Sequence, residues 1–351
     1  MQRLLLLLLA VRLAVAQPQL RGMSSVDLMQ PWLKGDFATA LRFYNAYEEI
    51  GGPFPGHRFR FDMELELAHY KFCSELLGED GEKSEPGHQM RRARLSYELG
   101  EFGEAERTVL QARLQHRARV GLHLLNTLAM IRLERGEYSE AVQLLLSKLK
   151  LPRKPNARID EPEIILALLG AARAQAEMGD FNTAVESGER ALDLATRSWG
   201  SSSIPALDAT QTLASVRIAE RKYTDAYSLL AAALQQRIGI YGFMNPKVAD
   251  SLDAIARVEL SLGDFDRALA HADKAMEIRQ QIFGGPNYWP ARSLLTKGEV
   301  YAATGAFDQA ARCYDNGVPI LESALGVTAP ALEKARKRRD AVRARAAVAT
   351  R

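Results

Sequence analysis

The sequence has few of the residues that usually build metal centres and covalent active sites. Its 351 residues include two cysteines and six histidines. No Cys-x-x-Cys, His-x-x-x-His or His-Glu-x-x-His pattern brings these residues to metal-binding spacing. Gly-x-Ser-x-Gly and Gly-x-Gly-x-x-Gly patterns are also missing. The sequence therefore predicts no metal site, no bound cofactor and no enzymatic activity.

The chain also lacks a strong excess of charge. It has 46 basic and 43 acidic residues, which leave a net charge of +3. This balance does not by itself indicate nucleic-acid binding. Hydrophobic residues make up 47% of the chain and aromatic residues 7%, a composition typical of a soluble protein built from packed helices.

Residues 1–16 have the features of a secretory signal peptide. Arg3 provides a positive start, residues 4–11 form an apolar run, and a small-x-small cleavage site ends at Ala16, before Gln17. The run is too short to span a bilayer, and no other stretch is long enough. These features predict an exported chain, periplasmic or secreted, with no transmembrane segment after cleavage.

The same residues leave a mitochondrial presequence open. Arg3, Arg12 and Arg21 precede the first acidic residue, Asp27, and Arg12 interrupts the apolar stretch. Arginine-rich segments without acidic residues are typical of such presequences. The secretory hypothesis is preferred because the leucine run is unbroken and the cleavage site is good.

A short stretch recurs along the rest of the chain: glycine, an acidic or small residue, an aromatic residue, two variable residues and alanine. Residues 263–268 are a complete copy, Gly-Asp-Phe-Asp-Arg-Ala. The other copies begin at Gly35, Gly100, Gly136, Gly179, Arg221 and Gly305. Glycine tolerates the left-handed conformation that ends a helix, and an acidic residue favours the start of the next helix. The stretch is therefore typical of a turn between two helices.

Seven such turns predict an all-α array of about seven helix-turn-helix repeats. The last four turns begin at residues 179, 221, 263 and 305, a strict 42-residue period that is the signature of a stacked helical solenoid. Each of these units opens with a proline, which suits the first turn of a helix. Residues 159–327 are therefore predicted to form a regular block.

Residues 21–158 are predicted to hold irregular repeats. The interval between the turns at Gly35 and Gly100 is too long for one repeat. Apolar residues recur with helical spacing between them. The sequence predicts an extra helix at 59–77, and it leaves open whether residues 51–88 hold an inserted helix or a degraded repeat.

Residues 328–351 are predicted to form a basic capping helix that begins at Pro330. Eight lysine and arginine residues outnumber Glu333 and Asp340. A solenoid needs a polar terminal helix to cover its last apolar face. No aromatic residue lies among these charges, as single-stranded nucleic-acid binding would favour, so no nucleic-acid partner is expected.

The two cysteines lie near opposite ends of the predicted array. Repeats in a solenoid contact only their neighbours. Cys73 and Cys313 are therefore predicted to be small buried residues and not a disulfide.

The turns and their surroundings resemble the tetratricopeptide repeat family. Seven residues before the turn glycine, the small residue of that family's first helix is matched by Ala93, Ala129, Ala172, Ala214, Ala256 and Gly298. The 42-residue units are similar to kinesin light chain-type repeats, with Asn245 where histidine is usual. The resemblance covers about residues 21–327. It implies a right-handed superhelix whose first helices line a concave groove that binds an extended peptide or a partner helix.

The resemblance assigns ten residues to the inner face of this groove. They are Arg91, Arg94, Asn126, Met130, Arg173, Gln211, Asp253, Arg257, Arg292 and Glu299. Several arginines at these positions would favour acidic or carboxylate-bearing ligands. The alternative is that they are ordinary solvated residues. The pattern of the family's chaperone-binding carboxylate clamp is not matched.

Together these observations predict an exported, non-enzymatic scaffold or adaptor that binds a protein or peptide partner in its concave groove. Two alternatives stay open. One is a regulatory or sensor subunit that recognises a small ligand. The other is a mitochondrial adaptor, if the N-terminal segment is a presequence.

Overall fold

The computed structural model describes residues 30–41, 56–79, 86–115, 122–147 and 161–349. Within these ranges the chain consists of α-helices and short connections, without a β-strand, which confirms the predicted all-α class. None of the helices in the described ranges combines the length and the hydropathy that crossing a membrane requires. The predicted signal peptide, residues 1–16, lies outside the described residues.

The helices follow one another as helix-turn-helix pairs. Residues 30–33 and 37–41 are helical and flank the turn at Gly35. The next pairs are α1 (Gly56–Glu66) with α2 (Tyr70–Glu79), α3 (Pro86–Glu98) with α4 (Phe102–Gln115), and α5 (Leu122–Arg135) with α6 (Tyr138–Ser147). The regular block consists of α7 (Glu161–Glu177) with α8 (Phe181–Trp199), α9 (Ile204–Ala219) with α10 (Tyr223–Tyr241), α11 (Pro246–Leu262) with α12 (Phe265–Phe283), and α13 (Tyr288–Ala303) with α14 (Phe307–Leu325). The last helix is α15 (Pro330–Ala349).

The turn at Gly263 shows how the recurring stretch works. Gly263 has a φ of +84° and ends α11 in the left-handed conformation, which costs glycine little because it has no Cβ atom. The next residue, Asp264, accepts a hydrogen bond from the backbone N–H of Arg267 and so caps the start of α12. Ala268 is fully buried where the two helices cross. The predicted roles of the glycine and of the acidic residue in the turn are therefore confirmed.

The strict period of the regular block is also confirmed. The second helices of the block begin at Phe181, Tyr223, Phe265 and Phe307. Each aromatic residue follows its turn by the same number of positions. The four repeats are therefore copies of one unit, with helices of nearly equal length.

Residues 56–79 differ from the prediction of an extra helix at 59–77. They form two helices, α1 and α2, joined at residues 67–69. Ala68 has a φ of +61°, and the backbone N–H of His69 donates to the carbonyl of Glu64 at 2.9 Å. The turn at Gly100 closes in the same way, with Glu101 donating to Ser96 at 2.8 Å. Residues 56–79 therefore form a degraded repeat and not a single inserted helix.

This eighth turn was missed because its residues are substituted. Ala68 stands in the glycine position, His69 in the acidic position and Cys73 in the alanine position, while the aromatic residue is kept as Tyr70. Cys73 is fully buried, as the alanine is in the other turns. With Ala68 included, the first turns lie at positions 35, 68 and 100, a nearly even spacing that is close to the length of the ordinary tetratricopeptide unit.

Two buried arginines join consecutive repeats inside the regular block. Arg237 is 2% exposed and donates to Asp208 at 2.6 Å and to Ser251 at 2.8 Å. Asp208 belongs to the same repeat as Arg237, whereas Ser251 belongs to the next. Because burial of a guanidinium is unfavourable without hydrogen-bond partners, these bonds hold the first helices of adjacent repeats in register.

The same connection occurs one repeat further along the chain. Arg279 donates to Asp250 at 2.6 Å and also bonds to Asp253 and Ser293. At the corresponding positions of the outer repeats the chain has Ala195 and Leu321. The arginine connection is therefore confined to the middle of the block.

Helix α15 covers the end of the array, as predicted. Leu332 is fully buried, and Ala335 and Val342 are nearly so. The basic residues on the outer surface of α15 pair with the preceding helices: Arg336 lies 2.7 Å from Glu322 and Arg343 lies 2.7 Å from Asp315. Much of the positive charge of this helix is thus compensated within the protein.

Replacing Arg221 by glycine should stabilise the protein. Arg221 is exposed and has a φ of +64°, a conformation that costs a residue with a Cβ atom about 1 kcal/mol. The free energy of unfolding of Arg221→Gly, measured by urea denaturation, should rise by about that amount. As the matched control, Gly263→Ala should lower it, since a Cβ atom there meets no neighbouring atom and only the backbone is strained. Equal stability of Arg221→Gly and the wild type would contradict the strain.

Candidate functional site

The turns of the first four repeats pack against the loops that connect the repeats of the regular block. We call this contact the seam. A Cβ atom on Gly35 would come within 2.9 Å of the side chain of Ile240, and one on Gly100 within 2.8 Å of Cβ of Tyr288. A Cβ atom on Gly136 would come within 2.9 Å of the backbone nitrogen of Ala331. Glycine is therefore needed at these turns for close approach as well as for its conformation.

Asn245 connects the two sides of the seam. Its side-chain oxygen accepts from the backbone N–H of Lys247 at 2.9 Å and caps the start of α11. Its Nδ2 atom donates to the backbone oxygen of Glu66 at 3.0 Å, at the end of α1. One amide side chain thus satisfies unpaired backbone groups at the ends of two helices.

Asn287 makes the same two bonds at the equivalent position of the next repeat. It accepts from the backbone N–H of Trp289 at 3.0 Å and donates to the backbone oxygen of Leu99 at 2.7 Å. The indole Nε1 of Trp289 donates to the backbone oxygen of Glu98 at 2.6 Å. The turn after α3 is therefore held by two hydrogen bonds from the start of α13.

Aromatic rings fill the space around these bonds. The ring of Phe102 meets that of Tyr288 edge to face with centroids 4.7 Å apart, and Tyr70 stacks on Phe283 at 5.5 Å. Such contacts bury apolar area and add orientation-dependent attraction. The seam closes the array on itself, so that the first helices of both halves face a common interior.

Two positions in each first helix face this interior. They lie six and two residues before the left-handed residue of the turn, so they are four apart and share one helix face. The position six before the turn holds Asp62, Arg94, Met130, Arg173, Ser215, Arg257 and Glu299. The position two before the turn holds Glu66, Glu98, Glu134 and Glu177, which we call the glutamate column, and then Ala219, Ser261 and Ala303.

Arginines of the first position pair with the glutamate column of the preceding repeat. Nη2 of Arg94 lies 3.3 Å from Oε1 of Glu66, and Nη2 of Arg173 lies 3.1 Å from Oε1 of Glu134. The stacking of repeats brings the first position of one repeat close to the glutamate column of the repeat before it. This pairing rule predicts which interior charges have partners.

Glu134 is the most highly coordinated carboxylate of the interior. It is 8% exposed. It accepts from the hydroxyl of Tyr288 at 2.5 Å and pairs with Arg173 at 3.1 Å and with Arg292 at 3.5 Å. Burial alone would raise the pKa of Glu134, but the Arg292 and Arg173 guanidinium groups and the Tyr288 hydroxyl outweigh it and lower the pKa. Residues from α5, α7 and α13 thus meet at one charge.

The pairing fails at Arg257, because the preceding repeat has Ala219 in place of glutamate. Arg257 is half-buried, and across the described ranges its guanidinium forms neither a hydrogen bond nor an ion pair. Burial and the nearby guanidinium of Arg292 lower the pKa of Arg257, while the carboxylates of Asp253 and Glu177 oppose this shift. Since the ordinary pKa of arginine is far above neutral, Arg257 remains a cation without a partner.

The pairing also fails at Glu98, because the following repeat has Met130 in place of arginine. The carboxylate of Glu98 is half-buried and has no hydrogen-bond or ion-pair partner among the described residues. Burial raises the pKa of Glu98, while Lys247 and Arg94 oppose this rise. Among the described residues, Glu98 and Arg257 are therefore half-buried interior charges without a partner, at places that the repeat pattern explains.

Three of the ten predicted inner-face residues form hydrogen bonds with side chains of other helices of the array. Asn126 is 1% exposed, and its Nδ2 atom donates to Oε2 of Glu163 at 2.7 Å. Its assignment to an open groove is therefore wrong, because the neighbouring first helix covers it. Gln211 and Asp253 bind the buried arginines of the regular block, Arg237 and Arg279.

The other seven predicted residues differ in burial and pairing. Arg94, Arg173 and Arg292 are paired with carboxylates, and Glu299 is paired with Arg338 of α15. Arg91 and Met130 are half-buried. Arg257 is the charged residue among the seven that has no partner in the described ranges. A role for these residues in binding stays a prediction.

The sequence interpretation missed the glutamate column and Tyr288. The column has a clear signal, a glutamate two residues before the turn in four consecutive repeats, which becomes visible once Ala68 is recognised as a turn residue. Glu66, the first member of the column, contacts Arg94 and the hydroxyl of Tyr241. Tyr288 has no comparable signal, because its partner Glu134 lies far away in the chain.

Glu134→Gln should destabilise the protein near neutral pH by about 2 kcal/mol, because it removes the charge that compensates two half-buried guanidinium groups. The pKa of Glu134 is lower in the folded chain than its ordinary value of 4.5. Its stabilisation is therefore fully present above the unfolded-state pKa and is lost as the pH falls through the lower folded-state pKa. Urea denaturation of wild type and variant should show a difference that shrinks below about pH 4.

Glu189→Gln is the matched control for this measurement, since Glu189 is exposed on α8 and its replacement should change little at any pH. A stability difference for Glu134→Gln that is the same at strongly acidic and at neutral pH would contradict the ion-pair assignment.

Comparison with solved structures agrees with this geometry. The chain is similar to a Rap protein in complex with Competence and Sporulation Factor, with a TM-score of 0.58 and 14% identity over 80% of this chain and 79% of that one. It is also similar to the APC/C hetero-tetramer Cut9-Hcn1, with a TM-score of 0.55 and 12% identity over 93% of this chain and 59% of that one. Kinesin light chain repeats from Podosopora anserina match with a TM-score of 0.40 and 20% identity over 57% of this chain and 95% of that one. At these identities the likeness concerns the fold.

The sequence comparisons concern the regular block. No curated protein sequence matches the chain. Residues 247–323 match the tetratricopeptide repeat family model. They contain α11 to α13 and most of α14, whose helices and turns have the geometry that the other described repeats share. Residues 247–323 are therefore a tetratricopeptide repeat segment, and the other described repeats have the same helix-turn-helix fold.

Proposed function

We propose that this protein is an exported, non-enzymatic scaffold that binds an extended peptide segment of a partner protein in its interior. The observation that supports this most is the accessible charge on the inner face. The side chains of Arg94, Arg173 and Arg292 keep 31%, 31% and 34% of their surface exposed although they lie between helices. Accessible guanidinium groups inside a concave surface can bind backbone carbonyl groups and carboxylates of a ligand.

The seam favours an extended partner over a folded one. In an open superhelix a folded domain or a helix can lie along the groove. Here the turns of the first repeats contact the loops of the regular block, as Asn245 and Asn287 do with Glu66 and Leu99. Glu134 of α5 reaches Tyr288 and Arg292 of α13, so first helices of the two halves lie close together, which favours a narrow chain as the ligand.

The comparisons support recognition of another molecule by this fold. The Rap structure is of a complex with Competence and Sporulation Factor. Among the described residues of our chain, no group of three histidine, cysteine, aspartate or glutamate side chains is arranged to hold a metal ion. The Rap complex supports a binding role for this fold, and cross-linking distinguishes a peptide from a smaller ligand.

A photo-reactive amino acid at Ser215 should cross-link the partner in the cells that produce the protein. Ser215 is half-buried at an interior position, so a bound segment would pass beside it. The same amino acid at Glu189, which is exposed on a second helix, serves as the control. Mass spectrometry should find one protein attached through a short segment at Ser215. Cross-links from Glu189 alone would place binding on the outer face, and attachment of a small molecule would favour the sensor alternative.

Export is tested by the mature N terminus. Cleavage after Ala16 should leave Gln17 as the first residue of the protein recovered from the periplasm or the medium. N-terminal sequencing of the purified protein measures this directly. A cleaved product found in mitochondria would support the adaptor alternative that Arg12 suggests.

A further inference from the structure

We propose that Arg173 and Arg292 together bind one carboxylate group of the ligand, and that Glu134 holds the two arginines in place. This proposal rests on the proposed function and specifies the chemistry of the bound segment. Nη2 of Arg173 lies 3.1 Å from Oε1 of Glu134, and Nη1 of Arg292 lies 3.5 Å from Oε2 of the same carboxylate. Helices α7 and α13 thus bring two guanidinium groups to one point of the interior, and direct contacts fix their relative placement.

The carboxylate of Glu134 already has donors from the protein on both oxygen atoms. Besides the arginines, its Oε1 atom accepts from the hydroxyl of Tyr97 at 3.4 Å, and its Oε2 atom accepts from the hydroxyl of Tyr288 at 2.5 Å. The side chain of Glu134 keeps 6% of its surface exposed. A ligand that enters the interior therefore meets the two guanidinium groups and not the carboxylate that holds them.

The two guanidinium groups have N–H donors without an acceptor. A guanidinium carries several donors in a planar fork, whereas in the described ranges the side chain of each of these arginines donates a single hydrogen bond, the one to Glu134. Arg292 also lies over the rings of Tyr288 and Trp289, 5.9 Å and 5.7 Å from their centroids, which restrains it without using a donor. Because Arg173 and Arg292 keep 31% and 34% of their side-chain surface exposed, a ligand can reach the remaining donors.

The neighbouring aspartates do not occupy these donors. Asp250 and Asp253 help to raise the pKa of Arg292 against the effect of burial. Their ion pairs in the described ranges are with Arg279, whose Nη2 atom lies 2.6 Å from Oδ1 of Asp250 and whose Nη1 atom bonds to Asp253. The donors of Arg292 that Glu134 leaves free therefore have no carboxylate of the described chain in contact.

The two arginines also repel each other. Burial and the nearby Arg292 oppose the rise in the pKa of Arg173 that Glu134 causes, as expected for two cations beside one carboxylate. A second carboxylate in contact with both guanidinium groups would relieve this repulsion and would supply the missing acceptors.

Arg94 shows the opposite arrangement at the same position of its repeat. Its side chain is also 31% exposed, but its Nη1 atom lies 3.2 Å from Asp62 and its Nη2 atom lies 3.3 Å from Glu66. One guanidinium thus has two carboxylates, whereas at Glu134 two guanidinium groups share one. A ligand carboxylate is therefore expected beside Arg173 and Arg292 and disfavoured beside Arg94.

The expected ligand presents a carboxylate, which is either an acidic side chain or a free C terminus. Planar guanidinium groups bind carboxylates through parallel hydrogen bonds, with a geometry that an ammonium group does not reproduce. The bound group would join α7 to α13, as Glu134 does.

Short alanine-based peptides test this directly. Ala-Ala-Ala-Glu-Ala-Ala with both ends blocked, its glutamine counterpart, and hexaalanine with a free C terminus are added to the mature full-length protein. Saturation-transfer NMR at low salt, which detects weak complexes, measures binding. At least one of the two carboxylate peptides should bind, and the glutamine peptide should bind about tenfold or more weakly, as expected for loss of a charged hydrogen bond. The peptide that binds identifies the source of the carboxylate.

Variants of the protein connect the binding to the two arginines. Arg173→Gln and Arg292→Gln should each weaken the carboxylate peptide about tenfold or more, whereas Arg94→Gln should weaken it several times less. The matched control is Arg312→Gln, which changes an exposed residue on α14 and should bind as the wild type does. Melting curves identify any variant that fails to fold. Arg173→Lys keeps the charge beside Glu134 but loses the planar fork, so it should fold and still bind more weakly.

The site is wrong if neither carboxylate peptide binds, if the glutamine peptide binds equally well, or if Arg173→Gln and Arg292→Gln leave binding unchanged. Equal losses in Arg94→Gln and Arg173→Gln would also contradict it. The proposed scaffold function is judged separately. If Ser215 cross-links a partner equally well in Arg173→Gln and Arg292→Gln, the scaffold function stands and the carboxylate site is wrong.

Discussion

The interior of this protein depends on the hydrogen bonds that cross the seam. A helix leaves its last carbonyl groups without partners, and in an open array water satisfies them. Here Asn245 and Asn287 donate to carbonyl groups at the ends of two first-half helices while they cap helices of the second half. The same two side chains therefore end one pair of helices, begin another pair and hold the two halves together.

Closure changes the electrostatics of the inner face. In an open groove, charges on the first helices would face water and interact weakly. Across the seam, Glu134 of α5 contacts Tyr288 and Arg292 of α13. The negative charge of Glu134 is thus balanced by a residue that lies far away in the chain. The buried arginines Arg237 and Arg279 hold the regular block in register, and the position of every interior charge follows from that register.

The fold was largely predictable because its signal is local. Gly263, Asp264 and Ala268 determine a turn within one short stretch, and the strict period of the regular block repeats that signal. The turn at Ala68 escaped because three of its four characteristic residues are replaced, although the remaining Tyr70 and the regular spacing were available as evidence.

The candidate site was less predictable for a physical reason. Assignment of inner-face positions from one repeat at a time treats each side chain as if it faced solvent. Asn126 is instead covered by the next repeat, and Glu134 is covered by a repeat from the other half of the chain. The pattern of glutamates two residues before each turn could have been found from the sequence, but the pairing of that column with arginines required the stacking geometry.

The seam also restricts how such a chain can change in length. Four turns, at 35, 68, 100 and 136, meet four segments of the second half of the chain, near residues 204, 245, 287 and 331. Open repeat proteins can gain or lose a unit because each repeat contacts only its neighbours. In this closed array, duplication or deletion of one repeat on either side would leave a turn without its loop and displace every later pair. The number of repeats is thereby fixed by the contact between the halves, as the number of strands is fixed in a closed barrel.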